Sequence, residues 1–233
     1  MPLVVRTWNV FHGNAVPPER HAYLEEMVRL VTADAPGIVC LQELPVWSLD
    51  RLAAWSGMQA FGDVARPPLL RSAELGRVLT DLHHGLLRSA VTGQANAILL
   101  APGLAAPERW WSLLSTPGQG ERRILQAVRI ETLGIVGNTH LTSGVAAEQL
   151  RGARALMELY AHPDTPVVLC GDFNLRPVYD DLDAHGFSAP APGIDQILVR
   201  GLPASQPMVW PEERRRVDGR LLSDHAPVEL IVG

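Results

Sequence analysis

The chain has 233 residues, of which 47% are apolar and 19% charged, so it can bury a sizeable core and is not a disordered, coiled-coil or collagen-like protein. All 20 basic residues are arginine, which excludes a P-loop lysine, a pyridoxal Schiff base and a kinase-type catalytic lysine. The net charge of −5 argues against a protein that coats nucleic acid non-specifically, but it allows an enzyme that contacts a few phosphates.

The first ten residues lack the apolar segment of a signal peptide, and no stretch reaches the roughly 18 apolar residues of a membrane helix. The two cysteines, Cys40 and Cys170, lie inside apolar runs and form neither a disulfide framework nor a zinc ribbon. Buried, reduced thiols are therefore expected. We expect a cytoplasmic monomer that makes no membrane contact.

Short apolar runs rich in β-branched residues recur along the chain, which favours strands over helices. In chain order they are Leu3–Val5, Ile38–Leu41, Ala97–Leu100, Ile124–Ile130, Leu133–Val136, Val167–Cys170, Ile194–Val199 and Val228–Val232. Between them, apolar residues at three- and four-residue spacing predict helices over Glu19–Thr32 and Val145–Tyr160.

Two segments are interpreted as surface excursions, namely residues 61–93 and residues 202–220. The first contains a helix predicted from Leu69 to about Arg88, and the second is rich in proline and arginine. The chain has no repeat and no linker. Mixed helices and strands throughout predict one layered α/β domain over residues 1–233.

Polar residues that can bind metal or move protons stand at the ends of most predicted strands. Such strand ends meet at one edge of a layered α/β fold, where ligand crevices form. The residues are Asn9, Glu43, His140, Asp172, Asn174, Asp195, Asp224 and His225. Each alone could shape a turn, begin a helix or form an ion pair. Together they form a set that suits a phosphate site with a hard metal ion.

Seven motifs occur in a fixed order, of which Gly171-Asp172-Phe173-Asn174 and Ser223-Asp224-His225 are the most specific. The others are Thr7-Trp8-Asn9-Val10, Cys40-Leu41-Gln42-Glu43, GQANAILL over residues 93–100, Thr139-His140-Leu141 and Ile194-Asp195-Gln196-Ile197. From residue 5 to residue 230 the series resembles the endonuclease/exonuclease/phosphatase superfamily, which includes deoxyribonuclease I and the abasic-site endonucleases. The resemblance implies a four-layer α/β sandwich, with two mixed β-sheets packed face to face and helices outside.

The sequence departs from this pattern near its start. Phe11 intervenes before His12, which leaves the role of His12 open. The stretch that follows the first asparagine in the abasic-site enzymes is absent, which counts against that subfamily.

The resemblance implies hydrolysis of a phosphate ester by in-line attack of water, with Mg²⁺ as cofactor and Mn²⁺ as a substitute. It assigns Glu43 and Asn9 to the metal, with Asp224 as a further ligand through water. No cysteine or histidine cluster has the spacing of a structural zinc site.

The remaining site residues would carry the catalysis. Asp172 would orient and deprotonate the attacking water, and Asn174 would hydrogen-bond the phosphate or that water. His225, oriented by Asp195, would donate to a phosphoryl oxygen or transfer a proton. His140 would contact a second phosphoryl oxygen.

The sequence says least about the substrate. Arg214, Arg215, Arg216 and Arg220 lie just before the motif at 223–225, so they could hold a polyanion, or they could form a solvated loop. A nuclease acting on nucleic acid is preferred. The alternative is a phosphomonoesterase or phosphodiesterase of a small molecule such as an inositol phosphate, a nucleotide or a lipid head group. The negative net charge and the absence of lysine favour this alternative. A non-catalytic binding module would have lost at least one site residue, and none is lost.

Overall fold

The computed structural model describes residues 2–69, 72–82, 91–115, 121–176, 186–188 and 190–233. Its helices are α1 Leu24–Thr32, α2 Leu52–Ser56, α3 Ala73–Leu82 and α4 Ala146–Tyr160. Its strands are β1 Leu3–Asn9, β2 Ala15–Val16, β3 Ile38–Leu44, β4 Gln59–Arg66, β5 Gln94–Leu100, β6 Glu108–Leu113, β7 Ile124–Ile130, β8 Gly134–His140, β9 Val167–Asp172, β10 Asp195–Arg200, β11 Met208–Val209, β12 Arg216–Val217, β13 Arg220–Leu222 and β14 Val228–Val232.

Two mixed sheets carry the fold. The first has the order β11-β14-β1-β3-β5-β4, in which only β1 and β3 pair in parallel. The second has the order β10-β9-β8-β7-β6, in which only β8 and β9 pair in parallel. A small third sheet has the order β12-β13-β2.

The alternation of side chains along the strands produces three apolar layers. In β3, Ile38 and Cys40 point between the two sheets, where they pack with Val128 and Cys170 of the second sheet. The opposite face of the first sheet packs against α1 and α2, and the outer face of the second sheet packs against α4. The structure is therefore the predicted four-layer α/β sandwich, and both cysteines are buried free thiols as expected.

All eight predicted strands form, and the structure adds shorter or edge strands that the sequence pattern did not indicate. One of them corrects a boundary, because β4, at 59–66, occupies the start of the segment interpreted as a surface excursion. Its Gly62 and Asp63 interrupt any apolar run, since β4 is an edge strand that is only partly buried. Residues 202–220 likewise include β11, β12 and a 3-10 helix at Glu212–Arg215.

The predicted helices form with shorter bounds. Helix α1 begins at Leu24 instead of Glu19, and α4 matches its prediction closely. Helix α3 lies within the predicted 69–88 segment, of which residues 70–71 and 83–88 lie outside the described residues. Within the part of the chain that the structure describes, no helix is long and apolar enough to cross a membrane.

Candidate active site

Strand register places Asp172 at the centre of a row of polar side chains. Asp172 ends β9, where it lies opposite His140 of the parallel strand β8 and opposite Asp195 of the antiparallel strand β10. Strands β8 and β9 end where β10 begins, so the three predicted site residues are neighbours at one end of the second sheet.

The turn after β9 fixes the Asp172 carboxylate. Gly171 has a φ of 144°, and a Cβ there would lie 1.8 Å from the Thr139 carbonyl oxygen, so only glycine fits. Asn174 adopts a left-handed φ of 48°, and its backbone N–H donates to Asp172 Oδ1 at 3.0 Å. Its side-chain amide donates to the Leu141 carbonyl, so Asn174 holds the turn that carries the carboxylate.

Glu43 enters the crevice from the first sheet through a β-bulge. The register between β3 and β5 shifts between Leu41 and Leu44, and Glu43 has a left-handed φ of 56°. A bulge re-aims side chains in this way. The Asn9 amide nitrogen donates to Glu43 Oε1 and to Asp172 Oδ2, each at 3.0 Å, and so joins the two sheets.

The orientation of Asn9 differs from that of the expected metal ligand. Its Oδ1 accepts a hydrogen bond from the Phe11 N–H at 3.0 Å, so its Nδ2 group faces the carboxylates. In this arrangement Asn9 acts as a donor between two acids.

His225 lies on the loop before β14 and faces the same crevice. Its Nδ1 lies 2.9 Å from Asp195 Oδ2, and its Nε2 lies 3.8 Å from Asp172 Oδ2. The loop is held by Ser223, whose hydroxyl donates to the Asn9 carbonyl, and by the Trp8 indole, which donates to the His225 carbonyl. The Asp224 side chain is 50% exposed, with Oδ1 4.0 Å from His225 Nε2.

Two further histidines flank the carboxylates. His140 Nε2 lies 3.4 Å from Asp172 Oδ2, and His140 Nδ1 lies 3.8 Å from Glu43 Oε1. His12, whose role the sequence leaves open, is buried with Nε2 3.7 Å from Glu43 Oε2. The structure therefore places His12 beside the site.

Burial dominates the electrostatics of the acids. It raises the pKa of Glu43 to about 7, although the Asn9 hydrogen bond and the Arg123 charge oppose it. Burial and the nearby Asp195 charge raise the pKa of Asp172 to about 6. The cationic groups of the protein therefore do not fully compensate the negative charges of Glu43 and Asp172.

The pKa values of the two histidines that face Asp172 are shifted in opposite directions. Burial and the Arg123 charge hold the pKa of His140 well below its usual value. Burial would also lower the pKa of His225, but the hydrogen bond to Asp195 and its charge outweigh burial and raise that pKa to about 9. The crevice therefore pairs a neutral imidazole with a cationic one.

The donor chemistry fits a divalent cation. Among the described residues, Asp172, Asp195 and His225 have ligand-type atoms that lie within 4.8 Å of one another, and with His225 protonated the two carboxylates are the groups of this set that can bind a cation. Glu43 adds a largely buried carboxylate whose Oε1 shares the Asn9 amide with Asp172. Hard cations such as Mg²⁺ prefer oxygen ligands, and a cation would compensate the buried carboxylates.

The arginines at 214–216 and 220 are all engaged by the protein itself. Arg215 is 7% exposed and donates to the carbonyls of Leu222, Ser223 and His225, so it holds the loop from behind. Arg214 lies over the Trp210 ring and pairs with Glu229 and Asp34, Arg216 pairs with Glu212, and Arg220 pairs with Glu19. The structure does not bring their guanidinium groups into the cluster around Asp172.

Sequence reasoning missed Arg123, whose Nη1 lies 2.9 Å from His140 Nδ1. The pairing register of the β7–β8 hairpin is the signal that indicates this contact. Strands β7 and β8 pair so that Leu125 lies opposite Thr139, which puts Arg123 across from Leu141, the residue after His140.

The family described as the Endonuclease/Exonuclease/phosphatase family matches residues 7–225. A search of curated proteins by sequence finds no match. A functionally unknown conserved protein from Enterococcus faecalis has a similar structure, with a TM-score of 0.72, 19% identity and 99% of each chain covered.

Two further structures carry more specific descriptions. A mannosyl-6-phosphatase from Bacteroides thetaiotaomicron has a TM-score of 0.68 at 17% identity, with 99% of each chain covered. TDP2 from Caenorhabditis elegans has a TM-score of 0.64 at 18% identity, covering 100% of this chain and 75% of that chain. At these identities the likeness shows a shared fold.

Proposed function

The chain belongs to the endonuclease/exonuclease/phosphatase family of phosphate-ester hydrolases, and we propose that it is a magnesium-dependent phosphodiesterase of the nuclease type. The observation that carries the proposal is the position of Asp172, whose Oδ2 faces the Asn9 amide and the Nε2 atoms of His140 and His225. Enzymes of this family generally depend on a divalent metal. Glu43 is the principal ligand in the proposal, with Asp224 assisting through water, while Asn9 orients the Glu43 and Asp172 carboxylates.

Asp172 is suited to orient and deprotonate an attacking water. Its Oδ1 is fixed by the Asn174 N–H, which leaves Oδ2 toward the crevice. A pKa of about 6 is close to the operating pH, where a general base is most effective. A bound divalent cation would neutralise the charge that develops on the phosphoryl and leaving oxygens.

The two histidines supply different donors. His225 is protonated near neutral pH and can donate a proton from Nε2, while Asp195 fixes its ring at Nδ1. His140 is neutral and can donate a hydrogen bond to a second phosphoryl oxygen. In the proposal, Asn174 hydrogen-bonds the phosphate or the water in addition to the bond that its amide donates to the Leu141 carbonyl.

The charge of the crevice favours a diester over a monoester. A phosphate monoester carries a charge of about −1.5 to −2 at neutral pH, whereas a diester carries one negative charge. Glu43, Asp172 and Asp195 line the crevice against the cationic His225 and the buried Arg123. A dianion would meet more repulsion than a monoanion before the cation binds, and this preference supports nucleic acid, a polymeric diester, as the substrate.

A small phosphate ester is the second candidate. The net charge of −5 and the internal ion pairs of Arg214, Arg216 and Arg220 leave few cationic groups to track a polyanion. An inositol phosphate, a nucleotide or a lipid head group would need fewer such contacts.

A single panel distinguishes the candidates. The protein would be assayed with Mg²⁺ and with Mn²⁺ on plasmid DNA, single-stranded DNA, RNA, inositol phosphates, bis-(p-nitrophenyl) phosphate and p-nitrophenyl phosphate. Cleavage of nucleic acid and of the chromogenic diester, with little hydrolysis of the monoesters, is the expected result. Plasmid nicking would indicate endonuclease action, and release of mononucleotides from ends would indicate exonuclease action. Preference for a monoester would contradict the proposal.

A further inference from the structure

Arg123 stands directly before β7 and is 7% exposed, which is unusual burial for a charged side chain. Its Nη1 lies 2.9 Å from His140 Nδ1 and donates to Gln94 Oε1 at 3.2 Å. On the other side of the guanidinium, Nη2 pairs with Glu121 Oε2 at 2.8 Å and Nε donates to Thr142 Oγ1 at 3.3 Å. Each of its nitrogens therefore has a partner within the protein.

In the hydrogen bond between Arg123 and His140, only Arg123 can be the donor. A guanidinium has only donors, so Nδ1 of His140 must be the acceptor and carries no proton. The side-chain amide nitrogen of Gln94, Nε2, lies 3.4 Å from the same Nδ1 and can also only donate a hydrogen bond. A neutral imidazole without a proton on Nδ1 must hold it on Nε2. This nitrogen is the one that faces Asp172 Oδ2.

We propose that Arg123 is a positioning residue that fixes His140 as the Nε2–H tautomer, so that His140 presents a hydrogen-bond donor to the crevice. The assignment of the tautomer stands on the contact geometry alone. Its consequence for a phosphoryl oxygen rests on the proposed function. Arg123 acts through His140, because its own guanidinium nitrogens are already engaged by His140, Gln94, Glu121 and Thr142 within the protein.

A purely structural role is the competing explanation. The bonds to Glu121 and Thr142 could simply close the segment before β7, in which case removing Arg123 would change stability without changing the imidazole. Arg122 provides a matched control, because it is the neighbouring arginine but is exposed and lies over the Trp111 ring. The same substitution at the two positions separates the explanations.

The test is the ¹⁵N spectrum of the histidine side chains in metal-free, ¹⁵N-histidine-labelled protein at neutral pH, with His140 assigned by its loss in His140→Gln. The wild type and Arg122→Gln should show an unprotonated Nδ1 and a protonated Nε2 for His140. In Arg123→Gln the new amide can accept as well as donate, so an Nδ1–H population should appear. A protonated Nδ1 in the wild type, or an unchanged tautomer in Arg123→Gln, would overturn the proposal.

Kinetics provide a second measurement that does not depend on one variant. Arg123→Gln should lower kcat about 10- to 100-fold with little change in KM, as is typical when a partner that orients a site residue is lost. Arg123→Lys keeps a donor and should recover part of that loss. Equal kcat for the wild type and Arg123→Gln would contradict the positioning role. A wild type with the expected tautomer but no hydrolase activity would support the Arg123 assignment and contradict the proposed function instead.

Discussion

Both carboxylate oxygens of Asp195 contact the ring of His225, whose Nδ1 lies 2.9 Å from Oδ2 and 3.1 Å from Oδ1. This hydrogen bond and its charge raise the pKa of His225 to about 9 against the opposing effect of burial. If protonated His225 is the donor, kcat should fall as pH rises through about 9. In Asp195→Asn the alkaline limb of the pH–rate profile should move to lower pH, because burial still lowers the His225 pKa while only the weaker effects of the Asp172 and Asp224 charges still raise it. An unmoved alkaline limb, equal to that of an exposed control such as Asp218→Asn, would contradict the pairing role.

Removing the proposed base or the proposed donor should reduce turnover without unfolding the protein. Asp172→Asn and His225→Ala should each lower kcat by about 100-fold or more, which is the range of acid–base groups. The melting temperature of Asp172→Asn should change little, because this variant removes a negative charge from a site crowded with carboxylates. His225→Ala should lower the melting temperature modestly, because it leaves Asp195 without its cationic partner. Asp164→Asn and His162→Ala are matched controls at exposed positions and should keep full activity. A variant at Asp172 or His225 with wild-type kcat would remove that residue from the catalytic set.

The buried Glu43 carboxylate should make metal-free stability depend on pH. Its folded-state pKa is raised from 4.5 to about 7, so the folded state binds the proton more tightly than the unfolded state. The stabilisation is fully present below about pH 4.5 and is lost as pH rises to about 7. Glu43→Gln should match the wild type near pH 4 and exceed its free energy of unfolding by up to about 3 kcal/mol at pH 8 in EDTA.

Urea unfolding at the two pH values measures this difference, with the exposed Glu213→Gln as the control. If Glu43 holds the cation, added Mg²⁺ should stabilise the wild type at pH 8 more than it stabilises Glu43→Gln. A Glu43→Gln protein that is less stable than the wild type at pH 8 without metal would contradict the uncompensated-charge interpretation.

Arg215 should matter for stability, and through the loop for turnover. Its Nη1 donates to three carbonyls of the segment that carries His225. Arg215→Ala should therefore lower the free energy of unfolding by about 3 kcal/mol and also lower kcat. Arg216→Ala, which removes an exposed pair with Glu212, should cost less than about 1 kcal/mol. If Arg215→Ala raised KM for nucleic acid alone, without loss of stability, the sequence-based prediction of a substrate contact would be the better account.

The sequence predicts the inner strands and the gathering of polar residues at their ends, because buried strands leave continuous apolar runs. The same logic fails for β4, whose half-exposed edge position leaves no such run. Gly171 shows why the motif around Asp172 contains glycine, since any Cβ would strike the Thr139 carbonyl. That clash depends on the pairing of β8 with β9, so spacing along the chain does not reveal it.

The orientations of Asn9 and Arg215 could not be predicted from the sequence, whereas the contact of Asp195 with His225 could. Asn9 turns its amide nitrogen toward two carboxylates, and Arg215 turns inward to carbonyls, although both residue types suit other roles at those positions. Arg123 escaped notice because its partner His140 is 17 residues away in sequence and becomes adjacent only through the hairpin register.

The most direct test of the central claim is the rate of phosphodiester hydrolysis by the metal-stripped protein, measured in excess EDTA and again after Mg²⁺ or Mn²⁺ is restored. Bis-(p-nitrophenyl) phosphate or the preferred nucleic acid serves as substrate, and Asp172→Asn is assayed in parallel under the same conditions. The account predicts no turnover in EDTA, turnover with either cation, and a loss of about 100-fold or more in Asp172→Asn. Full turnover in EDTA, or equal rates for the wild type and Asp172→Asn, would contradict it.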